Sequence, residues 1–160
     1  MEIKGNGFLL RRWKRDDATE LQRLADNPKI AANLYNRFPS PYAMEDARFF
    51  INLKIDEDPV TSFVIEIDGR FAGTIGIELR EDVYEQSPLI GYWLGEDFWG
   101  KGVMTEATKL MTDYALAYLI LFACKPVCSA GTRHLCGYWK RRDIQSKPFY
   151  PARYLKMGRY

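Results

Sequence analysis

The stretch GYWLGEDFWGKGVMT, residues 91–105, constrains the fold more than any other part of the chain. Leu89–Leu94 has the length and the bulky apolar side chains of a buried strand. A short turn follows, then Gly100-Lys101-Gly102. Beyond it, apolar residues at positions 107, 110, 111, 114, 115 and 118 repeat with the helical period and predict a helix from about Thr105 to Tyr118. Glycines in the loop permit positive φ and close backbone approach. The helix start adds unpaired N–H groups and the positive end of its dipole. Strand, glycine loop and helix N-terminus together predict a cradle for a phosphate or pyrophosphate.

The rest of the chain supplies a sheet and helices around that unit. FLLRRWK (Phe8–Lys14) reads as a first strand. Asp16 and Asp17 are expected to cap a helix that carries Ala18, Leu21, Leu24 and Ala25 at helical spacing. Asn27-Pro28 ends it, and Pro28–Leu34 restarts a short helix. The two prolines of NRFPSPY (Asn36–Tyr42) mark a loop. A second long helix spans about Ala43–Asp56, with Ala47, Phe50, Ile51 and Ile55 on one face, and Asp58-Pro59 closes it. Strands at Thr61–Ile67 and Phe71–Leu79 flank Asp68-Gly69, a two-residue hairpin turn. Arg80–Gln86 is a polar loop before the strand Pro88–Leu94. Strand, two helices, three strands and a helix make an α+β fold, its sheet mixed but largely antiparallel and flanked by helices.

A chain of 160 residues fits one domain with its own core. No apolar run reaches the length of a membrane span, the longest being Ala115–Cys124. The opening MEIKGNGFLLRRWKRDD lacks the layout of a signal peptide, so a cytoplasmic protein is expected. Three cysteines give no even disulfide framework. The net charge of +2 conceals a break near residue 120. From there to Tyr160, nine Lys and Arg stand against one acid, Asp143, while the first 119 residues carry −6.

Three phosphate loops compete for Gly100–Gly102. A nucleotide-binding P-loop needs Ser or Thr after its lysine, where this chain has Gly102. A dinucleotide fingerprint needs a third glycine where Thr105 stands. The third is a coenzyme A site. IGYWLGEDFWGKGVMTEA (Ile90–Ala107) resembles the acyl-CoA motif of the GNAT N-acetyltransferases, of the RimJ/RimL type. The family pattern Gln/Arg-x-x-Gly-x-Gly/Ala falls on Trp99, Gly100, Lys101, Gly102, Val103 and Met104, with Trp99 in place of Gln/Arg and Met104 in place of the small last residue. The opening FLLRRWKRDDATEL and the hairpin IDGRFAGTIGIEL resemble the same family, so the likeness covers roughly residues 7–118.

The resemblance implies that Trp93 and Leu94 bind pantetheine through their backbones and that Gly100 to Thr105 hold the pyrophosphate with N–H groups. The amine would enter by the loop Tyr35–Tyr42. It implies acetyl-CoA as co-substrate, direct transfer to a primary amine on a protein N-terminus or small molecule, and no metal. Glu78, Glu96 and Tyr92 fall near strand ends that face the thioester in such an architecture, and none is assigned as catalytic. Neither a nucleic-acid nor a membrane partner is expected. Oligomeric state is open, a dimer among the options. A non-catalytic CoA-binding remnant is the alternative function.

Residues 119–160 depart from that pattern. Cys124, Cys128, His134 and Cys136 have the spacing C-x3-C-x5-H-x-C of a zinc site, and Lys140-Arg141-Arg142 looks like a nucleic-acid tail. A shifted reading frame explains both. If the intended codons begin at the third base of the present ones, permitted choices from Cys124 onward include NPASMRVLEKAGY, which resembles the family's missing helix and its end. Gly137 to Ile144 conceal its V-L-E-K-A-G-Y. On this reading residues 1–118 are the N-terminal and acetyl-CoA-binding part of a GNAT domain. The tail, from about residue 119–124, is out of frame, and the C-terminal part of the fold is missing or replaced. The tyrosine that commonly protonates the leaving thiolate in the family is then also missing.

Overall fold

The centre of the fold is β4 (Arg70–Glu78), which has five consecutive buried residues because it is covered on both faces. The computed structural model describes residues 1–80 and 88–119, all within one unit, Met1–Leu119. The sheet has the order β1 (Glu2–Lys4), β2 (Leu9–Arg11), β3 (Ser62–Ile67), β4, β5 (Leu89–Leu94). Every described pairing is antiparallel. Strand β1 adds to the expected set. The first expected strand contracts to three residues, and the polar loop at 81–87 lies outside the described residues. Asp68 and Gly69 turn the β3–β4 hairpin with φ of 49° and 73°, the left-handed pair that a two-residue turn needs.

Side chains alternate across the strands and split the core in two. Phe63, Ile65, Ile75, Ile77 and Leu94 face α4 (Val103–Tyr114), whose Ala107, Met111 and Tyr114 are buried against them. Tyr114 also packs edge-on to Phe63 and donates its hydroxyl to the Val60 carbonyl at 2.8 Å. Val64 and Phe71 face the other way, toward α1 (Ala18–Ala25) and α3 (Met44–Lys54), between which the short α2 (Pro28–Ala31) lies in the chain. Trp13 fills that layer, its ring 5.2 Å from Phe50 and its indole N–H on the Ser62 hydroxyl at 3.1 Å.

Helix α1 is entered through a 3-10 turn, Arg15–Asp17, whose first N–H, from Lys14, the Asp17 carboxylate accepts, yet neither aspartate caps α1 itself. Asp17 turns back instead. Its carboxylate takes two hydrogen bonds from Arg11, at 2.7 and 2.8 Å, and one from the Lys14 N–H at 2.8 Å. Arg11 also bonds Glu66 in β3. Burial works against the Arg11 charge, and the two carboxylates outweigh it and hold its pKa above the ordinary value. Helix α4 starts at Val103, two residues before the expected Thr105, because Gly102 takes the N-cap position. It runs on into a π-helical turn, Ala115–Leu119.

Both Arg11 and Asp17 are 7% exposed, so removing one partner strands a buried charge. Replacing Arg11 with Met should lower the unfolding free energy by about 3 kcal/mol or more, with the urea midpoint falling at constant m-value. Arg11→Lys should recover only part of the loss, since a point charge cannot match the two-pronged geometry. A midpoint unchanged in Arg11→Met would refute the structural role of the pair.

Candidate active site

Register determines what β5 offers. Gly95 N–H bonds the Ala72 carbonyl at 2.8 Å, which makes 72/95, 74/93 and 76/91 the hydrogen-bonded pairs. The alternate residues, Ile90, Tyr92 and Leu94, then direct their N–H and C=O groups to the outer edge of the strand. Trp93 turns its backbone toward Thr74 in β4. Of the two residues expected to meet a ligand through the backbone, Leu94 therefore faces the edge. Its carbonyl already accepts the Trp99 indole N–H at 2.6 Å. That bond folds the turn Glu96–Phe98 back onto the strand end and fixes where the glycine loop begins.

The loop itself has the predicted character. Gly100 and Gly102 have φ of 75° and 73°, a region costly for residues with a Cβ. No atom lies within 4 Å of where a Cβ would stand on either. Gly102 carries no side chain to cap α4, so the N–H groups of Val103, Met104 and Thr105 are left to an outside acceptor. Lys101 is exposed, its Nζ 3.1 Å from the Asp97 carbonyl and 5.7 Å from the Phe98 ring centre. Free N–H donors, a helix dipole and a lysine with no carboxylate partner among the described residues fit a pyrophosphate.

This loop and β5 line a cavity of about 900 Å³, which Lys29, Asn33 and Tyr35 also line. All eight residues expected at the cofactor site line it: Trp93 and Leu94 on the strand, and Gly100, Lys101, Gly102, Val103, Met104 and Thr105 in the loop and first turn. A second cavity of about 460 Å³ lies between β4–β5 and the loop Tyr35–Tyr42. The two share Leu34, Tyr35 and residues 90–93, so they meet across β5. Lys29 and Thr74, which help to line them, carried no sequence signal of their own.

The two candidate carboxylates are both engaged. Glu78 pairs with Arg37 from the Tyr35–Tyr42 loop, and this hydrogen bond holds its carboxyl below the ordinary range. Glu96 pairs with Lys29 and accepts from Asn27 Nδ2 at 3.1 Å, which lowers its pKa as well. Tyr92 is half exposed. Tyr42 lines the second cavity, and burial, then the Asp46 charge, push its pKa to about 12. Its hydroxyl therefore stays neutral. Among the described residues no cluster could hold a metal ion, and Cys124, Cys128, His134 and Cys136, whose spacing resembles a zinc site, lie outside them. No described helix is long and apolar enough to cross a membrane.

The Arg37–Glu78 pair is intact through and above the ordinary carboxylate range and is lost as pH falls through the lowered Glu78 value. Arg37→Met should raise the Glu78 pKa toward that ordinary range, read by carboxyl NMR titration. An unmoved titration would remove Arg37 as the cause.

The geometry agrees with comparisons to known proteins. The family model for the acetyltransferase (GNAT) domain matches residues 8–146. A GNAT-family acetyltransferase structure from Bacillus anthracis aligns with a TM-score of 0.61 at 20% identity, over 74% of this chain and 68% of that one. A RimL ribosomal L7/L12 alpha-N-protein acetyltransferase in complex with coenzyme A gives 0.59 at 22%, over 72% and 68%. The microcin C7 self-immunity acetyltransferase MccE, in complex with acetyl-CoA and AMP, gives 0.55 at 24%, over 71% and 66%. The chain thus spans about two thirds of the length of these structures, and the likeness is one of fold. No curated protein sequence matches it. Since the family match covers most of the chain and the neighbours share its fold, the chain belongs to the GNAT acetyltransferases.

Proposed function

We propose that the chain is an acetyl-CoA-dependent N-acetyltransferase acting on a primary amine. The observation that carries this reading is the uncapped N-terminus of α4, reached through two positive-φ glycines, on the wall of a 900 Å³ cavity that meets a second one across β5. Acetyl-CoA would supply an activated acyl group as a thioester. The N–H groups of the Gly100–Thr105 segment would bind its pyrophosphate, with Lys101 adding charge. The outward peptide groups of Leu94 and Tyr92 would hydrogen-bond the pantetheine as a further strand does. The loop Tyr35–Tyr42 would bring the amine along the second cavity. Transfer needs a neutral amine, so its proton must leave before or during attack. Glu78 and Glu96, held ionised in ion pairs, are weak bases, and water takes that role.

Coenzyme A should raise the melting temperature, and acetyl-CoA with an amine acceptor should release free thiol. Gly102→Ala should cost about 1 kcal/mol of stability from its left-handed backbone and reduce the coenzyme A shift. Stabilisation without thiol release from any amine leaves a CoA-binding protein. Neither response rejects the reading.

We also propose that the codons from about residue 119–124 onward are read out of frame. The break in charge at residue 120 and the concealed NPASMRVLEKAGY support it. The family match runs to residue 146, so the domain is expected to continue through this segment in whichever frame its codons are read. The nucleotide sequence should contain an open alternative frame, entered near codons 115–125, that spells this helix. A stop codon or unrelated residues there would end the proposal.

A further inference from the structure

The second cavity has a floor with a gap in it. Thr74, Gly76 and Glu78 of β4 share the sheet face opposite α4 with Leu89, Gly91 and Trp93 of β5. Gly76 and Gly91 are cross-strand partners, so two side chains are missing side by side. A Cβ on Gly76 would press on the Thr61 carbonyl at 3.1 Å, which explains a glycine there by packing. A Cβ on Gly91 would meet nothing within 4 Å. Among the described residues no packing requirement keeps Gly91 bare, and its φ lies outside the left-handed region. The pair leaves a trough between Trp93 and Leu89, and Gly91 lines both cavities.

The walls above the trough are aromatic. Phe38 stands 5.0 Å from Tyr42 and 6.5 Å from Trp93, ring centre to ring centre, and Tyr35 and Phe50 also line the cavity. Its described charges are already matched. Arg37 holds Glu78, and Lys54 donates to Glu57 at 2.6 Å and to the Thr61 hydroxyl at 3.1 Å. Glu78 is the only carboxylate among the described lining residues, and binding a cation would take it from Arg37. Among the described residues a polycation therefore finds one engaged counter-charge, whereas an amine on an apolar ring finds ring faces and an open groove.

Resting on the acetyltransferase reading above, we propose that the acceptor is a monoamine beside an apolar, planar group. That group lies in the Gly76–Gly91 trough against Phe38 and Trp93, and Gly91 sets its allowed bulk. Polyamines and other multiply charged amines are poor acceptors. A side chain at position 91 would fill the trough from below without touching the walls.

Isothermal titration of the full chain with 2-phenylethylamine and with spermidine, at physiological salt, tests this. The aromatic amine should bind about tenfold tighter or more, and Gly91→Val should weaken it by a similar factor. Gly91→Ala, whose added carbon has room, guards against misfolding. It should keep the wild-type melting temperature and still weaken binding severalfold. Spermidine binding as tightly, no saturable binding of 2-phenylethylamine, or Gly91→Ala binding it like the wild type would each overturn the proposal. The titration needs no cofactor, so its failure is distinct from a failure of the coenzyme A shift and thiol release.

Discussion

A Cβ on Gly73 would lie 2.8 Å from the Leu94 Cα and closer still to the Trp93 carbonyl oxygen. No real side chain tolerates that contact, so β5 can lie where it does only because residue 73 has none. The consequences spread along the strand. With β5 drawn against β4, Gly95 bonds Ala72, and this bond fixes the pairing parity for the whole strand. Parity in turn exposes the peptide groups of Tyr92 and Leu94 at the edge and buries those of Trp93. It also sends the Trp93 ring to the α1–α3 side and the Leu94 side chain under α4.

From that anchor the glycine loop has little freedom. Trp99 hands its indole N–H back to Leu94, closing the turn within five residues. Gly100 and Gly102 then reverse the chain with positive φ, and α4 leaves along the face that Leu94 occupies. The N-terminus of α4 and the open edge of β5 are thus products of one local geometry. An anion bound at the loop and an extended chain lying along the edge would belong to one molecule.

Much of this was legible in the sequence because it depends on short-range rules. Asp68-Gly69 announces a hairpin wherever it sits between β-branched runs, and the helical spacing of Ala107, Met111 and Tyr114 states which face of α4 is buried. What escaped depends on distant partners. Glu2–Lys4 is too short and too exposed to signal a strand without β2 beside it. Asp17 looked like a helix cap, and nothing nearby says that it would answer Arg11 instead. The start of α4 moved to Val103 because a left-handed glycine can end a loop as an N-cap without a side chain. Glu78 and Glu96 could be placed near the site, but their ion partners lie 41 and 67 residues away.

Those partners change the chemistry open to the site. Lys29 and Arg37 both come from the segment between α1 and α3, and each reaches across to a carboxylate at an end of β4 or β5. The two ion pairs bracket the shared wall of the cavities, one beside the glycine loop and one beyond the far end of β5. They tie a segment with little regular structure to the sheet at two points, which gives both cavities a common wall at Leu34 and Tyr35. A carboxylate that serves as such a tie is held ionised and surrounded by donors, and its proton affinity falls accordingly. A carboxylate engaged in this way is a weaker base than a free one. In this chain Glu78 and Glu96 both serve as ties, so neither is the free carboxylate that its place near a strand end suggested.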